Sequence, residues 1–407
     1  MIAASLQVTA EVVTVPSLFG IRLEFVLFGL TLLGVAVWHE RTMHVALAGL
    51  VAILASKLAL DGSFHPIEHL FGSPEREGEW RILLNLLGLL LGFAILARHF
   101  EESKIPLALP AFLPHDWKGG FVLLAMVFVL SSFLDNIAAA MIGGAIAHVV
   151  FRDRVHVGFL AAIVAASNAG GSGSVVGDTT TTMMWIEGVP ATDVLIAYVA
   201  AVPALLVFGL IAAAQQDRYN PIASEAPPGI SVDWKRVAVV MMILAGTIAT
   251  NVLLDFPAVG VWIAILLGAT FTPTPWGELR RVLKGAIFLL SLVMCASMMP
   301  VDELPPASWM SSFGLGFVSA VFDNIPLTKL ALEQGGYDWG VLAYAVGFGG
   351  SMIWFGSSAG VALSNMYPSV KNTATYLRSG WHVALAYVVG FSVLLALYGW
   401  RPDSSPF

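Results

Sequence analysis

The chain has 407 residues, 57% of them hydrophobic and 12% charged, with a mean hydropathy of +0.82. Soluble domains carry about 25% charged residues, so the solvent for most of this chain is lipid. The net charge of −7 comes from short segments of mixed sign and by itself says nothing about nucleic acid; such a partner needs a basic face, and none is expected here, while a single cysteine, Cys295, excludes an internal disulfide and a cysteine-ligated cluster.

Residues 1–21 lack the basic start and compact apolar run of a signal peptide and read as an extramembrane lead-in. A first unit then runs over 22–214. Arg22–Trp38, Met43–Leu60 and Arg81–Ala97 fit plain spans, for which about 20 apolar residues are the template. The next stretch, Gly119–Val150, would reach about 48 Å as one straight helix, against a hydrocarbon core of about 30 Å. Leu134-Asp135-Asn136 sits in its middle, where a charge is costly unless protein or water surrounds it. A re-entrant hairpin over 119–150 answers both difficulties. A broken helix is expected over 157–185, because the Gly/Ser/Thr run Ser167–Thr182 is tolerated at membrane depth only where it lines a cavity or is buried in protein. Val194–Ala214 closes the unit.

After a cytoplasmic linker over 215–234, the order repeats within 235–400. Lys235–Leu253, Pro257–Phe271 and Val282–Met299 are plain spans; a second hairpin covers 305–333 and splits at Phe322-Asp323-Asn324; a second broken helix covers 339–367; Trp381–Trp400 ends the unit, with 401–407 as a tail. Ser131-Ser132-Phe133-Leu134-Asp135-Asn136-Ile137 aligns with Ser319-Ala320-Val321-Phe322-Asp323-Asn324-Ile325, and Ser167-Asn168-Ala169-Gly170 with Ser357-Ser358-Ala359-Gly360. An odd number of crossings per unit turns the second upside down relative to the first. The expected fold is an all-α polytopic membrane protein of two inverted repeats of five transmembrane helices, each with a re-entrant hairpin and a broken helix, a pattern of secondary transporters. Under this topology most of the Lys and Arg residues, Arg98, Arg152, Arg236 and Arg281 among them, gather on one face, which the positive-inside rule makes cytoplasmic. Both termini then lie on the extracytoplasmic side.

Two hairpin tips and two helix breaks meeting near the midplane supply hard oxygen ligands for a cation. The first half offers Asp135, Asn136, Ser167, Asn168, Asp178, Thr179 and Thr180; the second offers Asp323, Asn324, Ser357 and Ser358. A carboxylate shielded from bulk water can hold either a proton or Na⁺, and competition for it is the simplest coupling for exchange. The plainer reading is that Asp135, Asp178 and Asp323 cap helix starts. Lys329, the basic residue of the second hairpin, either snorkels to the interface or balances the charge of Asp323, with Glu333 as its i,i+4 partner. Gly356-Ser357-Ser358-Ala359-Gly360 matches a nucleophile-elbow pattern, but that motif needs a strand–turn–helix that no part of this chain predicts.

At these residues the chain resembles the ion transporter superfamily of citrate and dicarboxylate carriers, arsenite pumps and sodium/proton antiporters. Phe133-Leu134-Asp135-Asn136-Ile137, Ser167-Asn168-Ala169-Gly170-Gly171 and Gly177-Asp178-Thr179-Thr180-Thr181 look like the NhaD-type antiporter pattern within it. The chain departs from that pattern at Ala138-Ala139-Ala140, where the antiporters carry threonines, and at Val175-Val176, where proline is common. The dicarboxylate carriers present a neutral Ser-Asn-Thr at each tip; aspartate at both tips here attracts a cation and repels a carboxylate. The resemblance implies exchange of Na⁺ or Li⁺ for H⁺ by alternating access, with Asp135, Asn136 and Asp178 holding the transported Na⁺. It also implies no cofactor beyond the transported ions, a homodimer, and a multi-pass place in the bacterial inner membrane. The alternative is an anion carrier, for arsenite or a small organic acid, coupled to a cation.

Overall fold

The computed structural model describes residues 17–18, 21–38, 41–62, 64–73, 76–108, 113–222 and 231–402. Most of the expected lead-in, 223–230 of the expected linker and 403–407 of the tail lie outside the described residues. Extended structure among the described residues amounts to two antiparallel two-residue ladders, Ser17–Leu18 with Ile21–Arg22 and Gly72–Ser73 with Arg76–Glu77.

The first half contains α1 (Leu23–Val37), α2 (Thr42–Leu60), the short α3 (Pro66–Phe71), α4 (Trp80–Glu102) and the short α5 (Ile105–Ala108). The first over-long stretch is two helices, α6 (Trp117–Ser131) and α7 (Asn136–Val150), packed against each other. The Gly/Ser break separates α8 (Val157–Ser172) from α9 (Thr179–Ile186), and α10 (Ala191–Leu195) leads into α11 (Tyr198–Tyr219). In the second half α12 (Trp234–Leu254), α13 (Pro257–Gly268) and α14 (Gly277–Ser297) precede α15 (Trp309–Ser319) and α16 (Asn324–Gln334). There α17 (Trp339–Gly349) and α18 (Ser358–Met366) flank the break, and α19 (Thr373–Ser379) turns the chain into α20 (Trp381–Tyr398).

Five of these segments, α2, α4, the α10–α11 unit, α12 and α20, are long and apolar enough to cross a membrane. Their outer faces are apolar, with Val51 at 65% and Leu253 at 76% exposure, whereas Asn85, Asn168 and Thr180 are buried. That is the reverse of a water-soluble protein, and it fits a polytopic membrane protein whose surroundings are as apolar as its side chains.

Local chemistry sets the helix ends. Asp135 and Asp323 each precede the second helix of their pair and accept the backbone N–H of Ile137 at 3.2 Å and Ile325 at 3.0 Å. Where the second hairpin was expected from Pro305, helix begins only at Trp309, because Ser308 and Ser311 form a reciprocal capping box. The span ending the first half runs on to Tyr219 rather than Ala214: Gln216 donates to Arg154 O and Asn220 O and accepts from His156 N, which anchors the polar end of α11. Helix α13 stops at Gly268 rather than Phe271, with Pro273 and Pro275 barring its continuation.

The core is built on α8 and α17. Every residue from Gly158 to Ser172 and from Trp339 to Gly349 is buried, as expected of helices apolar on all sides. They pack on each other; α8 also packs on α6 and α11, and α17 on α15 and α20. Glycines permit the closest crossings. A Cβ at Gly170, Gly177, Gly349 or Gly356 would collide with the carbonyl oxygen of Phe128, Ser131, Gly316 or Ala320 respectively. Backbone freed by the first break is satisfied by side chains: Thr181 donates to Ser174 O at 2.6 Å, Thr182 to Val175 O at 2.8 Å, and Tyr198 to Gly170 O at 3.0 Å.

Candidate functional site

A cavity of about 460 Å³ lies between the two halves. Its mouth is charged: Arg98 and Glu101 at the end of α4 and Glu278 and Arg281 at the start of α14 border it, paired as Arg98–Glu101 at 2.9 Å and Arg281–Glu278 at 3.1 Å. Its walls are apolar, with Leu86, Leu89 and Phe93 of α4 facing Phe288 and Leu289 of α14. At its closed end four helices begin. Asp135 and Asn136 come from the start of α7, Asp178 and Thr179 from the start of α9, Asn324 and Ile325 from the start of α16, and Ser358 from the start of α18. A helix N-terminus carries partial positive charge and spare N–H donors, so this convergence stabilises carboxylates.

A hydrogen-bonded chain ties these groups together. The Asp178 carboxylate accepts from Thr180 N and Thr180 Oγ1, both at 2.8 Å, and from Asn136 Nδ2 at 3.1 Å. Asn136 Nδ2 also donates to Asn168 Oδ1 at 3.1 Å, and Asn168 Nδ2 donates to Ser351 Oγ at 2.9 Å. Two carboxylates with amide and hydroxyl oxygens beside them are a donor set suited to a hard cation rather than to a transition metal. Among the described residues no cluster of three or more His, Cys, Asp or Glu side chains forms a metal centre.

Of the residues singled out from the sequence, Asp135, Asn136, Asp178, Thr179, Asn324 and Ser358 line the cavity. Asn168 and Thr180 stand behind them in the chain just described. Ser167 donates to Val164 O within its own helix, Ser357 caps α18 by accepting from Gly360 N, and Asp323 caps α16; none of the three is among the lining residues. Lys329 does not balance Asp323. Its ammonium binds Glu187 at 2.6 Å, Glu333 at 2.8 Å and Glu79 at 3.1 Å, because α16 carries it away from its own first turn toward the ends of α4 and α9.

The alignment of Ser167-Asn168 with Ser357-Ser358 is also corrected. The first pair lies before its helix break and the second after it, so the residue standing where Asp178 stands is Ser357, the N-cap of α18. Gly347 correspondingly takes the place of Asn168. Asn324 Nδ2, the counterpart of the Asn136 donor, is buried with no hydrogen-bond partner. The reading from sequence missed Ser351, whose one visible sign is its place at the second break, matching Ser172 at the first. It also missed Glu79 and Glu187, which look like ordinary loop carboxylates.

No family model matches the chain. Sodium/proton antiporter 1 of Arabidopsis thaliana is 28% identical over 329 residues, covering 69% of this chain and 55% of that protein. Sodium/proton antiporter 2 of the same plant is 26% identical over 330 residues, covering 69% of this chain and 76% of that protein. The Na⁺/H⁺ antiporter NhaD of Alkalimonas amylolytica is 25% identical over 344 residues, covering 69% of each. The chain is homologous to the NhaD-type sodium/proton antiporters. It spans little more than half the length of the first Arabidopsis antiporter. The Gly356–Gly360 run starts a helix, with the Ser357 hydroxyl accepting from the Gly360 N–H, and the homology is to carriers rather than to hydrolases.

Proposed function

We propose that the chain is a secondary active transporter that exchanges Na⁺, or Li⁺, for H⁺ at Asp135 and Asp178 by alternating access. The observation that carries this reading is the meeting of both carboxylates at the closed end of one cavity, with Asn136 bonded to Asp178 and the cavity's two arginines, Arg98 and Arg281, paired with Glu101 and Glu278 at its mouth. One cavity shared by two carboxylates lets a proton and a sodium ion compete for the same oxygens, and homology to sodium/proton antiporters supports that choice of ions. The cation would be held by Asp135, Asn136 and Asp178, with Thr179 and Ser358 at the rim; Thr180 positions Asp178 and Asn168 positions Asn136.

The architecture belongs to the same proposal. Two inverted repeats, 22–214 and 235–400, would each bring a re-entrant hairpin and a broken helix to the midplane. The repeated Asp-Asn caps and the matched glycine–carbonyl crossings of the two halves support it. With the charged mouth cytoplasmic, both termini lie outside the cell in a bacterial inner membrane, and the active form is a homodimer.

The test is dissipation of an imposed proton gradient in everted vesicles, followed with a pH-sensitive dye, for the wild type and Asp135→Asn. A Na⁺- or Li⁺-dependent signal lost in the variant is expected. Folded protein that gives no cation-dependent signal would transfer the reading to a carrier of arsenite or a small organic acid.

A further inference from the structure

We propose that Lys329, Glu79 and Glu187 form a charge latch that closes the end of the pathway opposite the cavity mouth. The inference rests on the alternating-access reading above. Helices α9 and α16 both begin at the cavity, with Asp178 and Asn324, and both lead away from its mouth to the Lys329 cluster. Helix α4 packs beside α9, with Arg98 and Glu101 at the open mouth and Glu79 at its other end. Lys329 is 1% exposed, and its ammonium joins the carboxylates of the residues that cap the start of α4 and the end of α9 to Glu333 of its own helix α16. The latch thereby pins the second hairpin to two elements of the first half.

The two hairpins show which face is shut. Met141 lies the same step beyond Asp135 that Lys329 lies beyond Asp323. Met141 lines the open cavity, where α7 faces α4 across water-accessible space. On the other side α16 packs directly along α14, and Lys329 is sealed among glutamates. In an arrangement with the halves' roles exchanged, the Lys329 position becomes the lining one, and the ammonium must leave Glu79. Removing one partner from a buried ion pair strands the other, which makes such a contact hard to break. Glu333 offsets this: it sits one turn from Lys329 on the same helix and travels with it, so the ammonium keeps a partner while Glu79 and Glu187 are released.

The experiment reads accessibility. Pro326, buried on α16 and lying the same step beyond Asp323 that the cavity-lining Ala138 lies beyond Asp135, is replaced by cysteine, and Met141→Cys reports on the open cavity; Cys295 is replaced by serine in both reporters. Membrane-impermeant maleimide is applied to everted and to right-side-out vesicles. With Lys329 intact, Met141→Cys labels from the mouth side and Pro326→Cys is protected from both. Lys329→Met should raise labelling of Pro326→Cys from the opposite face about tenfold and slow that of Met141→Cys, whereas Lys329→Arg keeps the wild-type pattern. Glu79→Gln, which leaves the ammonium two carboxylates, should shift labelling the same way and decides the matter where Lys329→Met does not fold. Pro326→Cys still protected in folded Glu79→Gln and Lys329→Met overturns the latch. Wild-type protein that shows the labelling pattern without cation exchange overturns the choice of ions and leaves the latch standing.

Discussion

Replacing Asp178 by asparagine separates charge from hydrogen-bond direction at the site. The amide oxygen can keep both bonds from Thr180, but the amide nitrogen would meet Asn136 Nδ2, donor against donor. Turning over the Asn136 and Asn168 amides and rotating the Ser351 hydroxyl to donate removes the conflict, and every link survives with its direction reversed. The stability change should be about 1 kcal/mol or less, since the lost charge assistance is offset by no longer burying a charge. Sodium feels a different quantity. A unit charge removed at about 4 Å in an effective dielectric of about 20 takes away about 4 kcal/mol, or about a thousandfold in affinity. Leucine at the same position offers no acceptor and strands the Thr180 and Asn136 donors, at about 1–3 kcal/mol each. Melting of purified protein in detergent, beside the half-saturating Na⁺ for exchange in vesicles, measures both quantities. Half-saturation for Asp178→Asn within about threefold of wild type, or melting of Asp178→Leu no lower than that of Asp178→Asn, would refute the reasoning.

Asn136→Ala removes two buried hydrogen bonds and should cost about 2–4 kcal/mol, while Asn324→Ala, whose Nδ2 has no partner, should cost under about 1 kcal/mol; paired melting curves compare them. Gly170→Ala and Gly349→Ala each drive a methyl against a backbone carbonyl and should destabilise by about 1–3 kcal/mol, whereas alanine at Gly314, where a Cβ meets nothing, should not lower the melting temperature. Tyr198→Phe removes the donor to Ser132 Oγ and Gly170 O and should cost about 1 kcal/mol in the same assay.

The helix order was readable because its signals are local. Leu134-Asp135-Asn136 and Phe322-Asp323-Asn324 divide stretches too long for one span, and in both the aspartate caps the helix that follows. Asp135, Asn136 and Asp178 could be named because a carboxylate in an apolar run is conspicuous. What stayed hidden depends on partners distant in sequence. Lys329 has the composition of a snorkelling lysine, and only the packing of α16 against α9 delivers it to Glu187 and Glu79. Ser351 and Ser172 are alike in sequence, yet one accepts from Asn168 and the other bonds its own helix. The register of the second break was misread because Ser-Asn-Ala-Gly and Ser-Ser-Ala-Gly match as strings, while helix starts, not strings, decide which residue faces the cavity.

The four glycine–carbonyl crossings have a mechanical consequence. Gly170 and Gly177 lie against Phe128 and Ser131, and Gly349 and Gly356 against Gly316 and Ala320, so each hairpin is welded to its broken helix at two points with no side chain between to act as a cushion. Sliding at such a joint would drive backbone into backbone. Under the proposed alternating access, a motion that changes which face reaches Asp135 and Asp178 would carry each helix pair and the broken helix welded to it as one solid piece, and the surfaces that slip would lie farther out, along α4 and α14.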